Sequence, residues 1–333
     1  MFTENYLRLL EINLKMSNFL CCTPFSFDVI KKRVTRVSSV RKIRFFKFQC
    51  LIALLYCITL LTNLCFGPLT ILQKFQGFPL FALYTGEVVL WWNFDLDPTY
   101  MQIINPFLSL EQTKLRGAGP SHCATRTKRM EQFIRLLAIS MVLVPTLQLV
   151  LLQNRPCTPP YIMSMFSECD GNNITFKPFH LAVAVIETWM ALYITVGATQ
   201  SSNFAFFAPI ECLLTYLEIL KGKILKSHTP QEICDSIQLY RAIFTLEKTM
   251  NKILQYRMVP AMIIFPPAIQ IMTQYVSIKL HSEIPMPGFL VYPILWMDCV
   301  ICSVLIFSIS AGVNTESERP AINEDKTGPN SWK

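Results

Sequence analysis

The chain has 333 residues, of which 52% are apolar and only 16% charged, with a net charge of +8. Soluble domains carry about a quarter charged residues, so the composition excludes two ordinary globular domains and favours one bundle of membrane helices. The positive charge does not mark a nucleic-acid binder, because the basic residues cluster beside apolar segments, where they suit anionic headgroups and topology signals.

Residues 1–47 form a basic segment, and Met1 to Leu20 reads as an amphipathic helix with Leu7, Leu10, Leu14 and Ile12 on one face. Such a helix lies on the bilayer or packs under the bundle. No cleavable signal is evident, so the first apolar run serves as its own insertion signal. About 20 apolar residues cross a bilayer as a helix. Six stretches qualify: 48–66, 78–94, 133–152, 178–198, 258–278 and 288–309. The second contains Glu87 and is made irregular by Gly77, Pro79 and Gly86; Pro145 kinks the third; Pro266-Pro267 interrupts the fifth. Between the fourth and fifth spans lies a long helical extension. There Phe204 to Leu225 prolongs the fourth span, and Gln231 to Leu254 is amphipathic, with a face of Ile237, Tyr240, Ile243 (or Phe244), Leu246, Met250 and Ile253. Residues 48–311 are thus the bundle, and 312–333 a polar, disordered tail.

Orientation follows from Lys and Arg. Alternate loops hold 25 on one side and four on the other (Lys74, Arg155, Lys177 and Lys279), which makes the basic side cytoplasmic, with both termini inside. The outer loop after the third span carries the sequon Asn173-Ile174-Thr175 and the two cysteines clearly on that side, Cys157 and Cys169. These two are either a disulfide or free thiols. Many of the other ten cysteines sit in apolar runs as small hydrophobes; the CxxC spacing of Cys299 and Cys302 lacks a second pair, so no metal site is expected.

The sequence contains no P-loop, GxSxG or HExxH, and no paired histidines at metal spacing among His122, His180, His228 and His281. An enzyme is not expected, nor any cofactor. The informative residues are acids inside spans. Glu87, Glu187 and Asp298 each lie roughly 12–16 Å below the outer boundary, from a rise of 1.5 Å per residue. A charge at such a depth costs about 2.5–3.5 kcal/mol and normally faces a cavity or a partner. No Lys or Arg shares that depth. The acids therefore line a solvated cavity open to the outside, or stand neutral against a neighbouring helix. Gln148 and Gln274, in the outer thirds of their spans, reach the same region, and Trp91 offers an aromatic wall or packs in the core. These six residues are the candidate ligand site.

Three local stretches resemble a known family. Thr23-Pro-Phe-Ser-Phe-Asp28 before a basic run resembles the pre-span region of divergent arthropod gustatory and odorant receptors. Gln238-Leu-Tyr-Arg-Ala-Ile-Phe-Thr-Leu-Glu247, followed by Asn251, is similar to the helix leading into their fifth span, and Ala311-Gly-Val-Asn314 to the end of their sixth. The resemblance covers roughly residues 1–316. It implies a plasma-membrane chemoreceptor for taste or smell, built as a tetrameric, seven-span, ligand-gated cation channel that binds a small organic molecule. The family's seventh span lines the pore and carries a Thr-Tyr…Gln-Phe motif. This chain turns polar after Val313 without it, so the expectation is a C-terminally truncated member. The competing reading is a secondary transporter that uses the membrane acids for proton coupling.

Overall fold

The computed structural model describes residues 12, 14–28, 31, 33–114, 124–166, 178–225, 227–284, 286 and 288–326. Among the described residues its elements include a β-hairpin, β1 (Phe25–Asp28) and β2 (Arg33–Arg36), and the helices α1 (Val40–Phe66), α2 (Ile71–Trp91), α3 (Thr99–Lys114), α4 (Ala124–Asn154), α5 (Pro178–Ser202), α6 (Ala208–Ile224), α7 (Pro230–Leu254), α8 (Met258–Lys279) and α9 (Val291–Lys326). It is an all-α membrane bundle. Inner and outer below follow the charge bias.

Five segments are long and apolar enough to cross a membrane: α1, Glu131–Asn154, Pro178–Ile224, α8 and Gly288–Ser308. The expected second span, in α2, falls outside that set because it carries Gln73, Lys74, Gln76, Thr85 and Glu87. Its position explains why it tolerates them. The helix is about 31 Å long at 1.5 Å per residue. It packs against α1, α5 and α8, so much of its surface meets protein rather than lipid. By contrast, α1 is apolar on both sides. Its inward stripe is Phe46, Cys50, Ala53, Cys57, Leu60 and Leu64, while Leu54, Leu55, Ile58 and Leu61 stay exposed. An apolar outer face is what lipid requires.

The 95–132 region, between the expected second and third spans, contains α3, which the sequence did not indicate. The hairpin was also not anticipated. It docks on α3 where the Val34 amide donates to the Asn105 side chain at 2.8 Å, and that side chain donates back to the Val34 carbonyl at 3.0 Å. Just before the hairpin, residues 14–19 are helical, with Leu14 and Leu20 buried and Ile12 exposed. Leu7 and Leu10 lie outside the described residues. The N-terminal segment therefore packs under the bundle.

The fourth span continues without a break through a turn of π-helix, Asn203–Phe207, into α6. Phe204 to Leu225 prolongs the span as expected. Around this turn sits the inner core, which includes Phe107, Phe133, Phe206, Phe207, Leu213 and Tyr216. The expected face of α7 is met in part: Ile243 and Met250 are buried and Leu246 and Ile253 pack against the inner core, but Ser236, Leu239 and Leu254 complete the buried face and Ile237, Tyr240 and Phe244 are about half exposed. Helix α7 carries apolar side chains on two adjacent faces, and periodicity alone does not say which one meets α6 and α3. The α8 helix runs through Pro266 and Pro267 unbroken. Helix α9 passes the span's end and stays helical to Lys326, where a disordered tail was expected.

The start of α7 carries a capping box. Glu232 N–H donates to Thr229 Oγ1 at 3.3 Å, and the Glu232 carboxylate accepts from His228 N–H at 2.9 Å and Thr229 N–H at 3.2 Å. These amides hold the Glu232 carboxyl below its ordinary value of 4.5. A depressed value contributes stability above the unfolded pKa, and that contribution is lost as pH falls through the folded one. The protection factors of amides at residues 228–235, with the intrinsic rate at each pH divided out, should fall as pH drops below 4.5. Thr229→Ala should weaken the helix start by about 1 kcal/mol. Unchanged exchange in both experiments would show the cap to be inert.

Candidate functional site

The outer half of the bundle gathers polar side chains from α1, α2, α4, α5 and the loop after α4. Its centre is Glu187 on α5, which has no exposed surface. One carboxyl oxygen accepts the Ile162 N–H at 2.5 Å, and the other has no hydrogen-bond partner. Gln148 on α4 donates to the Glu187 backbone carbonyl at 3.5 Å and accepts from the Tyr84 hydroxyl on α2. Tyr56 on α1 packs edge-on against Tyr84, ring centroids 5.8 Å apart. Tyr161, in the loop, is fully buried, and burial holds its hydroxyl well above the ordinary phenol range, so it remains protonated. Tyr56, Tyr84 and Tyr161 all lie within electrostatic reach of Glu187. The hydroxyl of Tyr56 has no partner, and neither does Asn63 Oδ1, while the Tyr161 hydroxyl is within hydrogen-bonding reach of Tyr84.

Asn63, near the outer end of α1, positions the loop. Its amide donates to the Pro160 carbonyl at 2.9 Å, the Tyr161 carbonyl at 3.3 Å and Ser164 Oγ at 2.7 Å. These bonds set the 3-10 turn Ile162–Met165 and aim Tyr161 inward. Cys157, at the start of the same loop, is disulfide-bonded. Cys169 and Asn173 lie outside the described residues.

Of the six candidate residues, the structure brings Glu187 and Gln148 together. Glu87 sits nearly three turns further in from Gly77 on α2, half-buried, and accepts from Thr195 at 3.0 Å. Asp298 on α9, also half-buried, accepts from Ser140 of α4 at 3.1 Å. Each of these acids thus meets a hydroxyl of a neighbouring helix. Gln274 is on the exposed face of α8, beside Ile271 and Tyr275, and does not join the others.

Trp91 closes the inner end of α2 instead. Its indole N–H donates to the Cys22 carbonyl, and its ring meets Phe46 and Tyr193 edge-on at 5.4 and 5.0 Å. It helps line an apolar inner cavity with Leu14, Phe25, Ile104 and Phe204, into which the fully buried Gln200 also faces with both amide atoms unpartnered. Burial there pushes the Cys22 thiol well up.

Sequence reasoning missed Tyr56, Tyr84, Asn63 and Gln200. Asn63 carried a legible signal, as a lone carboxamide in an apolar run, whereas Gln200 sits in the polar stretch Thr199-Gln200-Ser201-Ser202-Asn203 and did not stand out. The two tyrosines did not either, because an aromatic in a span more often packs in the core or sits at the interface.

No protein-family model matches this chain, and no curated protein matches it. Among solved structures it is similar to the insect olfactory receptor OR5 from Machilis hrabei, at a TM-score of 0.69 and 15% sequence identity, over 93% of this chain and 80% of that one. The fold is that of an insect chemoreceptor.

Proposed function

We propose that the chain is a plasma-membrane chemoreceptor subunit that binds a small organic molecule within the outer half of its bundle. The carrying observation is the set of buried polar atoms around Glu187 that lack partners: Glu187 Oε2, the hydroxyl of Tyr56 and Asn63 Oδ1. Native interiors leave few polar groups unsatisfied, and each costs about 1–3 kcal/mol. Several at one place, beside a loop, form a cluster that a polar ligand completes. The chemoreceptor fold supports the same reading, with the chain acting as one subunit of a cation-conducting oligomer, a tetramer on the family resemblance. A ligand that binds one conformation better shifts the population toward it, and the shift opens or closes the pore.

The test is binding of a panel of volatile alcohols, esters and amines to the chain in lipid nanodiscs, read by thermal shift and competition. At least one member should bind saturably, and Gln148→Leu should weaken that binding about ten-fold, the usual order for a lost polar contact to ligand. Failure of every panel member, or saturable binding that Gln148→Leu, Glu187→Gln and Tyr161→Phe all leave unchanged, removes the reading. Proton-driven uptake into vesicles would instead favour a transporter.

A further inference from the structure

We infer that this site takes a small protonated amine, its ammonium group seated on Glu187 within the tyrosine cluster. The inference rests on the site proposed above and names the class of molecule that fills it.

The argument begins with what Glu187 lacks. It is completely enclosed, yet its carboxyl has one partner, a backbone N–H, and no cationic side chain among the described residues pairs with it. Buried acids are normally matched by a cation or by enough donors to satisfy both oxygens. The positive charge is missing from the protein, so a ligand is the natural source.

Donor counting sharpens this. An ammonium has three N–H donors and no acceptor. The acceptor sites within electrostatic reach of one another are Glu187 Oε2 and the hydroxyl oxygen of Tyr56, both unpartnered, and the hydroxyl oxygen of Tyr161, which donates toward Tyr84 and keeps a lone pair to accept. Three donors meet three acceptors. An alcohol brings a single donor and would leave most of the set unsatisfied. A carboxylate brings none and would add like charge. The walls agree, because a cation beside tyrosine ring faces gains attraction from the ring quadrupole, most strongly where water is excluded. Tyr56 and Tyr84 stand 5.8 Å apart at one side. Tyr161 stands on a loop rather than a span, which makes it the wall best placed to move and admit a ligand.

Isopentylamine and 3-methylbutanol form a suitable pair, alike in shape and different in charge at pH 7.4. With the full chain in nanodiscs, the amine should bind at least ten-fold more tightly than the alcohol. Glu187→Gln should abolish that preference by weakening the amine ten-fold or more while changing the alcohol less than three-fold. If Glu187→Gln does not fold, the Tyr56→Phe, Tyr161→Phe double variant serves, and should weaken the amine several-fold with a wild-type melting curve. Equal binding of amine and alcohol, both lost in Tyr161→Ala, would overturn the amine assignment and leave the site reading standing. An amine preference that survives in Glu187→Gln would also overturn it. Absence of saturable binding by either probe, or by any member of the wider panel, would remove the site reading itself.

Discussion

Replacing Trp91 with alanine should lower stability by about 3–5 kcal/mol, the usual cost of deleting a buried large aromatic. Trp91 is 1% exposed and joins three parts of the molecule. Its ring touches Phe46 of α1 and Tyr193 of α5, and its N–H ties down the N-terminal segment at the Cys22 carbonyl. Beneath it lies Gly197, where a Cβ would collide with the indole ring. The glycine is needed so that the tryptophan can lie directly on the backbone of α5. Gly197→Ala should therefore cost about 1–3 kcal/mol by overpacking. The two changes should be strongly non-additive, since the smaller side chain at 91 leaves room for the methyl group. Unfolding of purified protein in detergent measures all three variants. Additive losses, or a loss under about 1 kcal/mol for Trp91→Ala, would show that the contact does not hold the inner end together.

Asn63→Leu should produce the second large effect, in a different place. The substitution removes the amide from which the Pro160 and Tyr161 carbonyls and the Ser164 hydroxyl accept; the Tyr161 carbonyl keeps the Ser164 N–H and hydroxyl as donors, whereas the Pro160 carbonyl is stranded. Leaving a buried acceptor unmade costs about 1–3 kcal/mol, partly recovered if the loop moves out to water. The loop should then open locally. Amide exchange at residues 158–166 should rise by an order of magnitude or more, while the α5 and α6 amides remain protected. Because Tyr161 leaves with the loop, binding in the outer half should weaken as well. Unaltered exchange would place the loop's anchorage elsewhere.

The architecture was largely legible because lipid imposes simple rules. Length and hydropathy located most spans, and charge asymmetry oriented them. What sequence did not reveal is where a helix is apolar on more than one side. On α7 periodicity placed Ile237 and Tyr240 inward with Ile243 and Met250, yet the last two pack beside Leu239 while Ile237 and Tyr240 stay about half exposed. The hairpin at 25–36 was hidden because its runs are four residues each and its anchor, Asn105, is 71 positions from Val34. At the candidate site, depth alone grouped Glu87, Glu187 and Asp298. Depth is not azimuth. Each acid reaches a different neighbour: Thr195, Ile162 and Ser140 respectively. Gln274 failed for the same reason, since at a suitable depth it points away from the bundle.

The π-turn at Asn203–Phe207 sets the phase between the two halves of the longest rod in the molecule. A π-turn carries one residue more than the α-helical turn it replaces. One residue corresponds to about 100° of rotation about a helix axis. Deleting a single residue there would leave two sound helices whose faces no longer agree. With α5 still seated on α2 and α4, the inner rod would be turned by roughly a quarter revolution, swinging Leu213 and Tyr216 out of their core. The outer and inner halves therefore share one chain but keep separate angular settings, and this turn is the gear tooth between them.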